Sequence, residues 1–419
     1  MKKREPVLLK REYEIQYAGK TLPEDVIAHT KAARLRLVSE SPVHGGRLCG
    51  GRAVEPLQGA WQNMLVEGDN LGVLKTLLNM KVEGKIRNAD GSSGVRLVYI
   101  DPPFSTNLGF KTKGGRKAYD DRITGSAFIE FMRKRLLLLR ELLAEDGSIY
   151  AHLDWKKAHY VKALMDEIFG EENFLNDIIW HYGGRGAKAV SGQFSRNHDI
   201  ILWYKKGDRH VFNRMLIEKR VKKGASGFRQ DAEGRWFKTS PRGDYTDKSI
   251  ETLSREGRIH TTKNGNIRIK YFLREDGGCL VEDKLVGDVW DDIGDAMHMP
   301  SNEKTGYPTQ KPEALLSRII AASSKEGDIV LDAFAGSGTA LAVAEKMGRR
   351  WLGVDAGALA VETARKRLLD IVSSNGAKEA GKKHGKPALA RFNTSSNVSI
   401  GERGARAPFA VFTAGGRPA

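Results

Sequence analysis

Two blocks of alternating strand and helix patterns, separated by a long basic segment, limit the fold of this chain more than any other feature. Short apolar runs typical of buried strands alternate with longer segments of helical periodicity. The first block predicts strand 64–66, helix 70–80, strand 95–100, helix 126–144, strand 148–153, helix 156–169 and strand 200–204. The second block predicts helix 312–324, strand 328–332, helix 338–347, strand 350–354 and helix 357–372. This alternation predicts an α/β fold with a doubly wound, mostly parallel sheet.

The alternation fails in residues 205–290, which are rich in lysine, arginine and glycine. We interpret them as an inserted lobe, irregular or rich in β-structure, with interspersed aromatic residues: Phe228, Trp236, Phe237, Tyr245, Tyr271 and Phe272. These aromatics are expected to form a small core of the lobe; base stacking is the alternative. The cations either contact phosphates or form a solvated face. The predicted organisation is an N-terminal arm (1–60), a first α/β half (61–204), the insert (205–290), a second half (291–372) and a flexible basic tail (373–419).

Charge indicates the kind of partner. The chain has 69 Lys and Arg against 52 Asp and Glu, a formal net charge of +17. Such an excess attracts polyanions such as DNA or RNA. No apolar run approaches the roughly 20 residues needed to span a bilayer. We therefore expect a soluble, cytoplasmic protein without membrane contact. The two cysteines, Cys49 and Cys279, lie far apart, and the histidines show no ligand spacing, so no metal site is predicted.

The segment Asp101-Pro102-Pro103-Phe104 directly follows the apolar run 97–100. Proline has no N–H to donate to a neighbouring strand, so sheet pairing should stop there. The freed acceptors, beside a flat ring, suit a planar group with an exocyclic amino group. Together with the positive charge, this predicts a site for a nucleic-acid base. The alternative for Asp101 is an ordinary turn or helix-capping carboxylate, which the following Pro-Pro-Phe makes a poor explanation.

A second motif has the form strand, Gly-rich turn and helix start. It comprises Asp332 and the loop Ala333-Phe334-Ala335-Gly336-Ser337-Gly338-Thr339. Glycines permit a close approach of the backbone to a ligand, and a helix N-terminus offers N–H groups. Asp355 ends the next strand, where an acid can bind ribose hydroxyls. The pattern predicts a nucleoside site, although a tight turn between strand and helix is the alternative for the glycines. Leu341 replaces the third Gly of GxGxxG, which argues against a dinucleotide.

In this order, these motifs resemble the amino-methylating DNA methyltransferases of the permuted class, in which the catalytic motif precedes the cofactor motif. The resemblance covers residues 61–372, and within this class the sequence as a whole is most similar to type III modification subunits. Asp101–Phe104 resembles the DPPY/DPPF catalytic motif, and Phe334–Thr339 resembles the FxGxG loop. Three further segments also resemble the family: Leu65–Asn70 its adenine-contact strand and turn, Asn197–Tyr204 a later core strand, and Gly306–Pro312 the entry to the cofactor half.

The resemblance implies a Rossmann-like methyltransferase fold with S-adenosylmethionine as cofactor and the insert as the DNA-recognition region. It implies that Asp101 and the Pro102 carbonyl hold the amino group, that Pro103 shapes the turn, and that Phe104 stacks on a flipped base. The residues expected around the cofactor are Asp69 at its adenine, Asp355 at its ribose, Phe334, Gly336, Ser337, Gly338 and Thr339 at its methionine end, and Asp332 and Lys311 nearby.

Several alternatives stay open. Asp69 is also a good helix N-cap, Lys311 could be a surface residue before a helix-starting proline, and Asp332 could simply orient the Gly-rich loop. The resemblance implies that Asp rather than Ser at position 101 favours adenine N6 over cytosine N4, and double-stranded DNA is favoured over RNA. A DNA-binding subunit without turnover is the rival class. A homodimer and a complex with a restriction endonuclease or helicase subunit are both compatible with the resemblance.

Overall fold

A computed structural model describes residues 14–41, 47–48, 61–104, 109–111, 117–120, 123–183, 194–374 and 409–415. The helices are α1 (Pro23–His29), α2 (Asn70–Val82), α3 (Gly125–Leu142), α4 (Ala158–Phe169), α5 (Asp247–Arg255), α6 (Glu313–Ser323), α7 (Thr339–Lys346) and α8 (Ala358–Ser374). The first strands are β1 (Arg34–Ser41), β2 (Arg47–Leu48), β3 (Asn63–Glu67), β4 (Val95–Ile100), β5 (Gly109–Lys111), β6 (Lys117–Asp120), β7 (Leu143–Leu153), β8 (Phe174–His181), β9 (His198–Lys205) and β10 (Leu216–Lys222). The remaining strands are β11 (Phe228–Gln230), β12 (Trp236–Pro241), β13 (Ile259–Thr261), β14 (Ile267–Phe272), β15 (Arg274–Asp276), β16 (Cys279–Leu285), β17 (Val289–Trp290), β18 (Ile329–Asp332), β19 (Arg350–Asp355) and β20 (Phe409–Gly415).

The described residues divide into two compact units. The larger unit contains residues up to 213, residues 287–374 and residues 409–415, and the smaller unit contains residues 214–286. Within the described ranges, no helix is both long enough and apolar enough to cross a membrane.

The larger unit is built on an 11-stranded sheet with the order β17-β8-β9-β7-β4-β18-β19-β3-β20-β1-β2. The six central strands, from β7 to β20, run parallel to one another. Strand β9 runs antiparallel to both of its neighbours, β7 and β8. The prediction of a doubly wound, mostly parallel sheet is therefore confirmed.

Continuous burial explains why the central strands were visible in the sequence. All six residues of β4 and all four of β18 are buried, as expected for parallel strands covered on both faces. From β4 the chain passes through α3 to β7 on one side, and from β18 it passes through α7 to β19 on the other side. The sheet order thus reverses between β4 and β18. In open α/β sheets, a ligand crevice forms at such a switch point, at the carboxyl ends of the strands.

The expectation of a flexible tail is wrong for residues 409–415. They form β20, which pairs parallel to β3 on one side and antiparallel to β1 on the other. The physical reason is burial, since Phe409 to Phe412 are all buried and β20 occupies what would otherwise be an exposed edge of β3. Residues 375–408 and 416–419 of the predicted tail lie outside the described residues.

The predicted N-terminal arm also contains regular structure. Helix α1 contributes Val26 to the core, and β1 contributes Leu35 and Leu37. Since β1 pairs with β20, the two chain ends complete the same side of the sheet. Residues 1–13, 42–46 and 49–60 of the predicted arm lie outside the described residues.

The smaller unit falls within the predicted insert and consists mainly of short strands. It has one three-stranded sheet, β10-β16-β15, and one four-stranded sheet, β11-β12-β14-β13, together with α5. Phe237 is buried in this unit together with Ile269 and Leu280. Met215 and Val286 lie at its two ends, and the Val286 N–H donates to the Met215 carbonyl at 3.0 Å. The unit therefore begins and ends at adjacent points.

Candidate active site

A cavity of about 810 Å³ lies at the carboxyl ends of the central strands of the larger unit. It is lined by all the site residues predicted from the sequence except Gly338: Asp69, Asp101, Pro102, Pro103, Phe104, Lys311, Asp332, Phe334, Gly336, Ser337, Thr339 and Asp355. Parallel strands end at a common edge, which explains why residues more than 200 positions apart meet here.

Asp101 follows the last residue of β4 and forms an ion pair with Lys311. The Lys311 Nζ contacts Asp101 Oδ2, and both side chains are largely shielded from solvent. The same Nζ lies 5.5 Å from the centre of the Phe104 ring. The Lys311 carbonyl accepts a 3.2 Å hydrogen bond from Thr339 Oγ1. The lysine that precedes α6 is thus held against the catalytic motif and is not a surface residue.

The prolines and the aromatic ring have distinct positions. No strand continues beyond Ile100; Pro102 is buried, and Pro103 and Phe104 are partly exposed in the cavity wall. The Phe104 ring centre lies 6.4 Å from that of His152. The ring thus lies near a buried histidine and also lines the cavity, where an aromatic surface can stack on a planar ligand.

A buried polar chain supports the motif from behind. Tyr99 Oη and His152 Nδ1 are 2.9 Å apart, and His152 Nε2 lies 3.1 Å from Asp199 Oδ2. The Tyr182 hydroxyl donates to Asp199 Oδ1 at 3.3 Å. Burial alone would raise the pKa of Asp199, but the His152 and Tyr182 hydrogen bonds and the Lys311 charge lower it below its usual value. The histidine is therefore a hydrogen-bonded core residue. In the described part of the chain, no cluster of His, Cys, Asp and Glu residues could hold a metal ion.

Asp355 holds the Gly-rich loop through both carboxylate oxygens. Oδ2 accepts the Gly336 N–H at 2.8 Å, and Oδ1 accepts the Gly357 N–H at 2.8 Å. Burial raises the pKa of this carboxyl group despite these bonds. The carboxylate thus joins the loop after β18 to the start of α8 at the rim of the cavity.

Gly338 has a structural role that the sequence did not indicate. Its φ is +73°, and a Cβ placed on it would lie 2.7 Å from the Cβ of Ala364 in α8. The residue is therefore required for close packing of the loop on a helix as well as for its left-handed conformation. This explains why Gly338 is absent from the cavity wall.

Asp332 ends β18 and is buried in the wall of the cavity, which the Asp101 segment and the Gly-rich loop also line. Its Oδ1 accepts the Phe334 N–H at 3.0 Å. Burial, with smaller effects from the Asp101 and Asp355 charges, raises the pKa of Asp332 to about 8. The group is therefore mostly protonated at neutral pH, and it orients the loop as the alternative interpretation expected.

Ser337 and Thr339 take part in a hydrogen-bond network at the start of α7. Their hydroxyl oxygens are 3.2 Å apart, and Thr339 Oγ1 accepts a 2.9 Å bond from Arg367. Arg367 also bonds Glu313 of α6 at 2.7 Å. This network fixes α6, α7 and α8 relative to one another around the Lys311 backbone.

The structure also identifies an arginine that the sequence reasoning missed. Arg135 of α3 donates to Asp69 Oδ1 at 2.8 Å and to the Asn70 side chain. Its guanidinium carbon lies 3.5 Å from the centre of the Phe131 ring. Burial lowers the pKa of Arg135 to about 10. The only local signal was the spacing of Arg135 four positions after Phe131, because α3 contains several other charged residues.

The position of Asp69 is compatible with both roles considered for it, that of a helix cap and that of a cavity residue. It caps α2, accepting the Leu71 N–H at 3.2 Å, and it lines the cavity. Asn70 donates to the Ala333 carbonyl at 2.7 Å, which connects this corner to the Gly-rich loop.

Thr309 lines the cavity in a strained conformation. In the part of the chain that the structure describes, it is the one non-glycine residue with positive φ, at 62°. A left-handed β-branched residue costs on the order of 1–3 kcal/mol, and such strain is typical of functional sites. Thr309 belongs to the segment that positions Lys311.

The cavity residues fit a nucleoside that carries positive charge. The volume lies within the range of roughly 300–1,000 Å³ typical of small-molecule sites. The walls combine aromatic surface from Phe131, Phe334 and Tyr307 with the Asp69 and Asp355 carboxylates. Carboxylates can bind hydroxyl, amino and sulfonium groups, so this wall chemistry suits S-adenosylmethionine. The acid–proline–proline–aromatic motif lines the same cavity.

Comparison with known proteins identifies the family. The sequence model of the family described as DNA methylase, the N6/N4 methyltransferases, matches residues 95–366. The chain is 36% identical over 332 residues to the type II methyltransferase M.EcaI of Enterobacter cloacae, covering 73% of this chain and 69% of that protein. It is 26% identical over 308 residues to the DNA adenine methyltransferase YhdJ of Escherichia coli, covering 74% and 87%. The chain therefore belongs to the N6/N4 family of DNA methylases, whose methyl donor is S-adenosylmethionine.

Further matches include a type III Mod subunit and solved structures. The probable type III restriction-modification enzyme HindVI Mod subunit of Haemophilus influenzae is 27% identical over 381 residues, and the chain spans 48% of its length. The M1.HpyAVI–SAM complex is 16% identical, with a TM-score of 0.40, covering 73% of this chain and 98% of that one. The cytosine-N4-specific PvuII DNA methyltransferase is 13% identical, with a TM-score of 0.42, covering 74% and 92%.

Proposed function

We propose that this DNA methyltransferase modifies the N6 amino group of adenine in double-stranded DNA. The observation that carries the proposal is the Asp101 carboxylate in the cavity wall, next to Phe104 and ion-paired with Lys311. Support for adenine comes from Asp rather than Ser at position 101 and from the adenine methyltransferase among the relatives. Cytosine N4 is the alternative, because the same amino-group chemistry applies to it.

The residues of the motif are suited to activating an aromatic amino group. The lone pair of such a nitrogen is delocalised into the ring, so the nitrogen is a weak nucleophile. Lys311 bonds to one carboxylate oxygen of Asp101, Oδ2, and a carboxylate has a second oxygen that can accept an N–H. Acceptance of the two amino hydrogens by Asp101 and the Pro102 carbonyl returns the lone pair to the nitrogen.

Positioning and electrostatics then account for most of the catalysis. S-adenosylmethionine, when bound, supplies an electrophilic methyl group for the nitrogen. Phe104 stacks on the base, which must leave the duplex at a cost of a few kcal/mol. The Asp101 oxygen that accepts an N–H is placed to hold the departing proton.

We assign the cofactor contacts to the opposite part of the cavity. Asp355 is proposed to bind the ribose, because its two oxygens use only two of roughly four acceptor positions on the Gly336 and Gly357 N–H groups. Asp69, held by Arg135, is proposed to face the adenine. Phe334, Gly336, Ser337 and Thr339, which line the cavity, are proposed to contact the methionine end.

The smaller unit is proposed to recognise the DNA sequence. Residues 214–286 contain 17 Lys and Arg against 11 Asp and Glu, a balance that favours contact with phosphates. The type III Mod subunits among the relatives support a restriction system as the setting. A homodimer or a complex with a restriction subunit would appear as a larger mass when the protein is purified from its host.

Product analysis tests the proposed reaction. The protein is incubated with labelled S-adenosylmethionine and duplex DNA, and the nucleosides are then separated. We expect label in N6-methyladenine, and label in N4-methylcytosine would select the alternative. In a parallel reaction with RNA in place of DNA we expect no label; label in RNA and none in DNA would contradict the proposal. Cofactor binding without transfer would indicate the non-catalytic subunit.

The Asp101→Asn variant tests the mechanism. It should reduce transfer by on the order of a hundredfold or more, because a positioned acceptor is lost, while cofactor binding and the unfolding midpoint stay near the wild-type values. Asp208→Asn, at an exposed carboxylate outside the cavity, is the matched control and should transfer normally. Wild-type activity of Asp101→Asn would rule out the assigned role.

A further inference from the structure

Trp155 and Arg196 lie at the same edge of the sheet as the catalytic motif. Strand β7 runs parallel to β4, with Ala151 paired to Ile100, so residues after Leu153 emerge beside Asp101. Strand β9 runs antiparallel to β7 and pairs Ile200 with Leu153. Arg196, two residues before β9 begins, therefore emerges at this edge as well.

Trp155, Lys156 and Arg196 form a cationic–aromatic group, which we call the Trp155 platform. The guanidinium carbon of Arg196 lies 3.8 Å from the centre of the Trp155 ring, and Lys156 Nζ lies 5.4 Å from it. Asp154 Oδ1 accepts the N–H groups of Lys156 and Lys157 at 3.1 and 2.9 Å, which fixes the turn that carries the tryptophan. Arg196 and Lys156 are exposed, and Phe194 nearby in the chain is 97% exposed.

The platform lies close in sequence to residues that pack behind the base site. Phe104 packs near His152, which hydrogen-bonds Asp199. Trp155 follows His152 by three residues, and Arg196 precedes Asp199 by three residues. Three residues of chain span at most about 11 Å, and residues 155–157 form a turn, so Trp155 and Arg196 lie no further than that along the chain from His152 and Asp199. One DNA strand rises about 3.4 Å per nucleotide, so this limit is about three nucleotide steps, and the platform can reach nucleotides that flank the one in the catalytic site.

We propose that the Trp155 platform is a second DNA contact of the enzyme, which holds the strand on the flank of the extruded nucleotide. A guanidinium stacked on an indole has a restricted orientation, and its five N–H donors form a fork suited to phosphate oxygens. Lys156 adds a second cation, and the indole offers a surface for stacking that is independent of sequence. This inference rests on the proposed action on DNA.

Equilibrium binding to a labelled mixed-sequence duplex over a salt series tests this contact. For Arg196→Ala we expect the Kd to rise about tenfold, and the slope of log K against log salt to fall by about 1, because one phosphate contact is lost. Trp155→Ala should raise the Kd about tenfold with little change in slope, since it removes stacking and not charge. Arg196→Lys should keep the slope but recover only part of the affinity. Cofactor affinity should be unchanged in all three variants.

The opposite edge of the sheet offers a matched control. There Arg350, at the start of β19, lies 5.4 Å from the centre of the Trp61 ring. Arg350→Ala removes an arginine stacked on a tryptophan far from the strand ends that carry the site. Its Kd and salt slope for DNA should equal the wild-type values.

Two outcomes would contradict the proposal that the Trp155 platform contacts DNA. One is wild-type Kd and slope for Arg196→Ala in an enzyme that binds and methylates duplex DNA. The other is an equal loss in Arg350→Ala and Arg196→Ala, which would show a non-local charge effect. If the wild-type enzyme neither binds nor methylates DNA, the proposed function fails instead. If Trp155→Ala loses cofactor binding, the ring is needed for folding. The Kd and salt slope of Arg196→Ala, at an exposed residue, then decide whether the platform contacts DNA.

Discussion

At the scale of single residues, burial changes the chemistry of ionisable side chains around the cavity. Asp101 and Lys311 neutralise each other, whereas Asp332 has no cationic hydrogen-bond partner among the described contacts and has a pKa of about 8. Arg135 keeps its charge beside Asp69 although burial lowers its pKa. The cavity therefore combines one ion pair at the catalytic motif, another at the far corner and a mostly neutral acid between them.

Asp332 should make the stability of the cofactor-free protein depend on pH. An unfolded Asp has a pKa near 3.9, while the folded group has a pKa of about 8. Between these values the unfolded chain has lost a proton that the folded protein retains, so this contribution to stability falls as pH rises from about 4 to about 8. Above the pKa of the folded group, about 8, the contribution of Asp332 to stability changes no further. Asp332→Asn, which cannot titrate, should flatten this part of the profile of unfolding free energy against pH. Asp208→Asn should retain the wild-type slope; an unchanged slope in Asp332→Asn would contradict the assignment.

Arg135 should act on cofactor binding more than on the chemical step. Arg135→Met removes the charged hydrogen bonds that hold Asp69 and Asn70, each worth about 1.5–3 kcal/mol. We expect the KM for S-adenosylmethionine to rise roughly ten- to a hundredfold, with a smaller change in kcat, and the cofactor-induced rise in Tm to shrink. The neighbouring Lys134→Met, on the outer side of α3, is the control. A loss in kcat alone would place Arg135 in the methyl-transfer step instead.

At the scale of elements, the site depends on where strands end and on what covers their edges. The switch point between β4 and β18 brings the two motifs together, and β9 and β8 extend the sheet beyond β7. On the other side, β20 inserts between β3 and β1, so a segment near the end of the sequence supports the strand that leads to Asp69.

Strand β20 should contribute strongly to stability. Phe412 is 2% exposed and belongs to the main core, so Phe412→Ala should lower the free energy of unfolding by about 3–5 kcal/mol. Val38→Ala on β1, where the valine is 37% exposed, should change it by less than about 1 kcal/mol. Denaturant-induced unfolding measures the free energy of unfolding of both variants. Equal midpoints for Phe412→Ala and the wild type would show that β20 does not pair stably in solution.

At the scale of the whole molecule, the described residues form a larger unit that contains the cavity and a smaller unit formed by the insert. All the cavity-lining residues belong to the larger unit, and the smaller unit is a continuous segment whose ends are hydrogen-bonded to each other. Close ends are typical of units that can be inserted into or removed from another domain.

Replacement of residues 214–286 by a short Gly/Ser linker should therefore leave a folded, cofactor-binding protein. We expect S-adenosylmethionine affinity within about threefold of wild type by calorimetry. DNA affinity and its salt dependence should fall because phosphate-contacting cations are lost. Wild-type DNA affinity in the linker variant would contradict the proposal that the insert recognises DNA. Loss of cofactor binding would show that the larger unit needs the insert to fold.

The sequence by itself determined the elements and the motifs, because their signals are local. Continuous apolar runs predicted β4 and β18, and short motifs within single strand ends predicted the Asp101 segment and the loop 333–339. The order of the motifs along the chain was enough to indicate the permuted methyltransferase family. The insert was visible because alternation stopped within one contiguous stretch.

Only the tertiary structure decided which distant side chains meet. Lys311 and Asp101 pair across 210 residues, and Arg135 holds Asp69 across 66. Gly338 faces Ala364 and not the cavity, although its local pattern predicted a cofactor contact. Strand β20 pairs with β3 across more than 300 residues of chain, which no local periodicity in the Gly- and Ala-rich tail could indicate. The reason is the same in each case: local patterns determine how a segment folds, whereas ion pairs, close contacts and strand neighbours depend on how the whole sheet brings segments together.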